Sequence, residues 1–176
     1  MPNYVLTGTP GAGKTALLRR LEVLGHAVVE EAATAVIALE AAQGCDRPQR
    51  DPSFIDNVLA LQRARQARAP GEGVVFWDRS PVCTLALSRY LGFPPPRALT
   101  DEVVLARQRY EPTVFFVRNQ GHVERTSARR ISFADSLVFE QVHEDVYREL
   151  GFRLVDVPAG LLADRVAVVL SAACPR

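Results

Sequence analysis

Five short apolar, β-branched or aromatic runs punctuate the chain: Asn3–Gly8, Ala27–Glu31, Gly73–Asp78, Thr113–Arg118 and Arg153–Val157. They are nearly continuous rather than alternating, the pattern of strands covered on both faces of a parallel sheet. Between them the apolar residues shift to helical spacing. Lys14–Leu24 carries Leu17, Leu18, Leu21 and Leu24, and Ser53–Arg68, Ser80–Leu91 and Ala159–Ala173 also read as helices. Ser132–Leu150 sets Val138, Val142, Val146 and Leu150 on one stripe, and Ser132 followed by Asp135 resembles a capping box. Strands alternating with helices predict right-handed βαβ crossovers and a three-layer α/β fold. Ligands of such folds sit at the carboxyl ends of the strands. The stretch Gly92-Phe93-Pro94-Pro95-Pro96 is too short to separate domains, so residues 1–176 are expected to form one unit.

The first strand runs directly into Gly8-Thr9-Pro10-Gly11-Ala12-Gly13-Lys14-Thr15-Ala16, a complete G-x-x-x-x-G-K-[ST] match ahead of an amphipathic helix. Polyphosphate oxygens need many donors at short range, and the successive N–H groups of a wrapped loop supply them. Gly8, Gly11 and Gly13 allow positive φ and close backbone approach. The positive end of the following helix adds to the attraction. Lys14 sets a compact ammonium against the β- and γ-phosphates, and the Thr15 hydroxyl is a ligand for Mg²⁺. Of 21 basic residues, Lys14 is the only lysine. A bulky planar guanidinium does not fill that slot, which gives the exception a physical reason.

The third strand exits into Asp78-Arg79-Ser80-Pro81. Asp78 at that position can ligate Mg²⁺ through water or take the proton of an attacking hydroxyl. Arg79 beside it can hold an acceptor or steady the transferred phosphoryl group. The second strand ends in Glu30-Glu31, whose side chains point to opposite faces, and Glu31 is the one expected at the site. Acceptor walls are expected from the Ser53–Arg68 helix, with Phe54, Asp56 and Gln62 as contacts. A basic segment at about 119–135 has the make-up of a mobile lid, with Arg125 and Arg129 four residues apart on one face of a helical turn. Pro158 and Ala159, after the last strand, are candidates for backbone contact with adenine. The Asn-Lys-x-Asp guanine motif is absent, since Asn119-Gln120-Gly121 stands where it would be sought, and the base is expected to be adenine. His26, His122 and His143 lack metal-ligand spacing and read as surface or packing residues.

The balance of 21 basic against 20 acidic residues leaves a charge of +1, so no strong field invites nucleic acid or an anionic membrane. No apolar run is long enough to span a bilayer, and Met1 to Thr7 lack a basic leader. Cys45, Cys83 and Cys174 are odd in number and far apart, which fits buried thiols of a reducing, cytoplasmic compartment.

The run from Val5 to Thr15, the Val28–Thr34 segment, Phe76-Trp77-Asp78-Arg79-Ser80 and the Arg125-to-Tyr147 block resemble the bacterial AAA-type ATPase domain family of P-loop NTPases. That family is related to the ribosylnicotinamide kinase domain of NadR and to the TRPL translocation defect protein. The resemblance covers almost the whole chain. It implies a five-stranded parallel sheet ordered 2-3-1-4-5 and ATP with Mg²⁺ as ligands. The chain departs from it twice. Relatives often show Glu-x-Ala-Arg where Glu31-Ala32-Ala33-Thr34 stands, and an acidic residue shortly after Asp-Arg where Pro81-Val82-Cys83-Thr84 stands. The chain also leaves little room for the helical domain of a ring-forming motor. The expected activity is transfer of the ATP γ-phosphoryl to a hydroxyl or phosphate of a small, nucleoside-like acceptor by a monomer or homodimer. The alternative is a slow ATPase whose nucleotide state gates a protein or lipid partner.

Overall fold

The computed structural model describes residues 1–121 and 132–173. Its elements follow in the order β1 (Asn3–Thr7), α1 (Lys14–Val23), β2 (Ala27–Val29), α2 (Ala32–Ala42), α3 (Ser53–Ala67), β3 (Val75–Asp78), α4 (Pro81–Leu91), α5 (Arg97–Arg109), β4 (Thr113–Val117), α6 (Phe133–Glu149), β5 (Arg153–Val157) and α7 (Leu162–Ala173). The strands form one parallel sheet in the order β2-β3-β1-β4-β5. The expected fold class and strand order hold.

Alternation along the strands builds two cores at once. Val5, Val75, Trp77 and Val114 face one side with Phe54, Ile55 and Val58 of α3, Val82 and Ala86 of α4, and Val146 and Tyr147 of α6. Leu6, Phe76, Phe115 and Val117 face the other with Leu17, Leu18 and Leu21 of α1 and Val166 and Val169 of α7. Both sheet faces are dry, which is why the strands read as unbroken apolar runs.

Two helices lie beyond those the pattern predicts. The α2 sequence AATAVIALEAA is apolar nearly all round and shows little helical contrast. Helix α5 begins directly after Pro96 and buries Leu99, Val103 and Ala106. Of the stripe expected on α6, Val146 is buried and Val142 and Leu150 pack partly buried against the core. Val138 faces solvent, while Phe139, His143, Val146 and Tyr147 are buried. Ser132 does cap α6, its hydroxyl oxygen accepting from the Asp135 N–H at 3.1 Å. Cys45 is exposed rather than buried, Cys83 is buried, and Cys174 lies outside the described residues. Among the described residues no helix is long and apolar enough to cross a membrane.

Candidate functional site

The strand order puts β1 between β3 and β4, so the exits of β1 and β3 open side by side. Leu6 pairs with Asp78 across these strands, setting the start of the glycine loop next to the Asp-Arg corner. Gly8, Gly11 and Gly13 all have positive φ, at 128°, 84° and 83°. At Gly8 the reason is also steric, because a Cβ there would lie 2.2 Å from the Val117 carbonyl oxygen. Thr9 and Ala12 are buried under the loop, while Pro10, Gly11, Gly13, Lys14 and Thr15 line a cavity of about 580 Å³. Ala16 is exposed on α1 and is not among the lining residues. Arg165 of α7, a contact sequence reasoning missed, donates from Nη2 to the Ala12 carbonyl at 2.6 Å and clamps the loop from behind.

Lys14 Nζ donates to the Gly8 and Thr9 carbonyls at 3.1 and 2.8 Å, folded over the loop. Burial, aided by the Arg79 charge, lowers its pKa to about 8. Asp78 is buried at the end of β3 and lines the same cavity.

Arg79 follows with φ 72°, the only positive φ at a non-glycine residue among those described. Its guanidinium has three partners. Nε lies 2.6 Å from Glu31 Oε1, Nη1 lies 2.9 Å from His143 Nε2, and Nη2 donates to the Gly8 carbonyl at 3.0 Å. Its Cζ also stands 5.6 Å from the Phe139 ring centroid. Burial is the largest influence and disfavours the Arg79 charge, but Glu31, Cys83, Asp78 and Tyr147 together outweigh it and the pKa is raised. Burial alone would push Glu31 up, yet Arg79 and Lys14 hold it below the usual carboxylate range. Glu31 Oε2 also accepts from the Thr34 hydroxyl at 2.8 Å. Glu30 points away and pairs with Arg19, as alternation at the strand end requires.

Beyond this corner the cavity deepens between α2, α3, α4 and α6. Phe54, Val58 and Gln62, spaced four apart on α3, line it together with Ile37, Tyr90 and Phe139. The Gln62 Oε1 accepts from the Thr84 hydroxyl at 2.9 Å, which fixes the amide. Asp56 is not brought to the site. Two residues past Phe54, it projects from the exposed side of α3, roughly opposite the lining face. Pro158 and Ala159 are exposed after β5 and also lie off the cavity wall. Arg125 and Arg129 lie outside the described residues, as does His122.

His143 was expected to be a surface or packing residue. It is fully buried, and it packs, but its ring is committed to polar contacts at both nitrogens: Arg79 on Nε2 and the Phe139 carbonyl, 2.9 Å from Nδ1. The available signal was a run of Phe139, His143 and Tyr147 at four-residue spacing on one face of α6.

The loop fits a polyphosphate. Gly11, Gly13, Lys14 and Thr15 line one end of the cavity, with positive φ at both glycines and the single lysine ammonium among them. For a divalent cation the donor set is a hydroxyl, Thr15, and a carboxylate, Asp78, both on the cavity wall. Among the described residues there is no cluster of three or more His, Cys, Asp or Glu side chains able to hold a metal without help. Such a sparse oxygen set suits Mg²⁺, which is usually shared with substrate phosphates.

A family described as "AAA domain" matches residues 3–165. None of the curated proteins matches. Among solved structures, NadR in complex with NR superposes with a TM-score of 0.71 at 16% identity, over 99% of this chain and 51% of that one. The chain thus spans about half the length of the NadR chain it matches. Deoxyadenosine kinase from M. mycoides, with dCMP and dCDP bound, gives 0.63 at 14% identity, covering 97% of both chains. Shikimate kinase from Acinetobacter baumannii with shikimate gives 0.58 at 16% identity, over 98% and 92%. At these identities the likeness is one of fold.

Proposed function

The chain belongs to the AAA domain family, and from that premise we propose that it is an ATP-dependent kinase acting on a hydroxyl of a small, nucleoside-like metabolite. The observation that carries this is the continuity of the cavity, which runs from the glycine loop past Asp78 and Arg79 to Phe54, Gln62 and Tyr90. A switch that only hydrolyses ATP has no need of a second, side-chain-lined chamber beside the phosphates. The fold likeness to NadR, deoxyadenosine kinase and shikimate kinase points the same way.

Main-chain amides of residues 8–14 and the Lys14 ammonium hold the β- and γ-phosphates. Thr15 and Asp78 would hold Mg²⁺, which would offset polyphosphate charge. The acceptor oxygen attacks the γ-phosphorus, the bond to the β–γ bridging oxygen breaks, ADP leaves, and Asp78 receives the acceptor proton. Arg79 stands at the junction of the two chambers and stabilises charge on the transferring group. Pro158 and Ala159 are assigned to the adenine end. The acceptor chamber carries carboxylates at Glu31 and Asp135, whereas Lys14 and Arg79 are the lining cations among the described residues and both sit at the phosphate end. A neutral or cationic acceptor with a flat apolar body suits those walls better than a phosphorylated one.

The test is ADP release from ATP·Mg with a panel of nucleosides and other hydroxyl metabolites. The expected result is acceptor-stimulated turnover that Asp78→Asn lowers by about 10²- to 10⁴-fold. Turnover that no acceptor stimulates, coupled to nucleotide-dependent capture of a partner, would replace the kinase with a switch.

A further inference from the structure

Arg79 is an L-residue in the left-handed region, where its Cβ crowds the following carbonyl oxygen. Residues stay in such conformations when several neighbours fix them, and such strain clusters at functional sites. Two of the neighbours, Glu31 and the Gly8 carbonyl, belong to the cavity wall and the phosphate loop. The third is different in kind. His143 is completely buried, does not line the cavity, and so reaches neither nucleotide nor acceptor.

Both ring nitrogens of His143 have their roles dictated. The Phe139 carbonyl can only accept, so Nδ1 carries the proton. The Arg79 guanidinium can only donate, so Nε2 is the bare acceptor. Burial and the neighbouring Arg79 charge push the His143 pKa well below its ordinary value, in keeping with a neutral ring. One turn further along α6, the Tyr147 hydroxyl lies 2.7 Å from Ser80 Oγ and 3.1 Å from Cys83 Sγ. Two side chains one turn apart on a single helix therefore grip two consecutive residues at the exit of β3. Space filling does not require that match.

We propose that His143 is a positioning residue for Arg79. Its unprotonated Nε2 fixes the guanidinium at the junction of the phosphate loop and the acceptor chamber, and holds the left-handed turn in place from the α6 side. What Arg79 then does for transfer rests on the kinase assignment; the positioning does not.

Three variants of the full chain separate a nitrogen-specific role from packing. In His143→Gln the terminal amide reaches the level of Nε2 and offers an oxygen to Arg79. In His143→Asn the amide ends near the level of Nδ1, and His143→Leu offers no polar atom. With ATP·Mg and water as acceptor, the Leu and Asn variants are expected to lose about 10- to 100-fold in kcat, with the KM for ATP within about twofold of wild type. The Gln variant is expected to recover to within about threefold of wild type. Equal kcat for Gln and Asn overturns the proposal, and that pair decides even if the Leu variant fails to fold. Nitrogen-15 NMR of the imidazole gives a readout independent of turnover: a protonated Nδ1 and a bare Nε2 whose resonance moves in Arg79→Met. A protonated Nε2, or no response to Arg79→Met, also overturns it. Wild-type protein that neither binds nor hydrolyses ATP·Mg defeats the kinase assignment, while the NMR result still decides the His143–Arg79 pair.

Discussion

The burial of Lys14 leads to an unusual expectation: removing the most recognisable residue of the phosphate loop should stabilise the ligand-free protein. The Lys14 ammonium is 5% exposed and its pKa lies near 8 instead of 10.5. At about 1.4 kcal/mol per pH unit, that gap makes the charged form cost about 3 kcal/mol at neutral pH. Lys14→Met removes the charge and keeps the length of the side chain. It forfeits two hydrogen bonds, each contributing about 1 kcal/mol, but it does not leave their acceptors bare. The Gly8 carbonyl keeps Arg79 Nη2 at 3.0 Å, and the Thr9 carbonyl keeps the Ala12 N–H at 3.3 Å. The net expectation is a gain of about 1–2 kcal/mol at pH 7, measured by urea unfolding. Its pH dependence has a fixed sign. Between pH 8 and 10.5 the unfolded chain binds the proton that the folded chain has lost, so wild-type stability rises relative to Lys14→Met and the advantage of the variant closes. In the same samples the variant should show no calorimetric heat with ATP·Mg. A variant less stable than wild type at pH 7, or an advantage unchanged between pH 7 and 10.5, would refute the energetic account of the loop.

Gly8→Ala places a Cβ 2.2 Å from the Val117 oxygen at φ 128° and should cost about 3 kcal/mol or more in urea unfolding. Glu102 is buried and accepts from Arg63 Nε at 2.8 Å and Arg109 Nη1 at 2.7 Å. Burial opposes its charge, but the two arginines prevail and depress its pKa. Its contribution is therefore present above the ordinary carboxylate pKa and lost as pH falls through the lower folded value. Glu102→Gln should cost about 1–3 kcal/mol at pH 7, and acid titration should show that deficit shrinking as the wild-type carboxylate is protonated. On α6, Val138→Lys should change stability by less than about 0.5 kcal/mol, whereas Val146→Ala, in the core, should cost about 1–3 kcal/mol by thermal or urea unfolding.

The central strands were legible because β3 and β4 are buried along their whole length and β1 over its last three residues, and a run such as Val74-Val75-Phe76-Trp77 has few other uses. Helices α1, α3 and α6 were legible from apolar residues set against polar ones. Helix α2 was not, since its alanines blur that contrast. On α6 three of the four stripe residues, Val142, Val146 and Leu150, pack on the core as expected, while Val138 is left in solvent because Phe139, His143 and Tyr147 turn toward α4. The site divides in the same way. Gly8 to Thr15 form one contiguous loop whose chemistry can be read along the chain, and Asp78, Arg79 and Glu31 follow at strand exits. His143 stands 64 residues from Arg79, and Arg165 stands 153 from Ala12, so no local spacing announces either contact. Asp56 lies off the cavity because it stands two residues past Phe54, about half a turn round α3 and on its exposed side.

The strand order also governs how the molecule is made. During translation β1 and β2 emerge first, yet they are never neighbours, because β3 must insert between them and β4 must close the far side of β1. A nascent chain ending before residue 75 holds the whole glycine loop but has neither the Asp78–Arg79 corner nor the β4 carbonyl that encloses Gly8. The phosphate cradle is therefore a late product of synthesis, completed only when long-range pairings have been made.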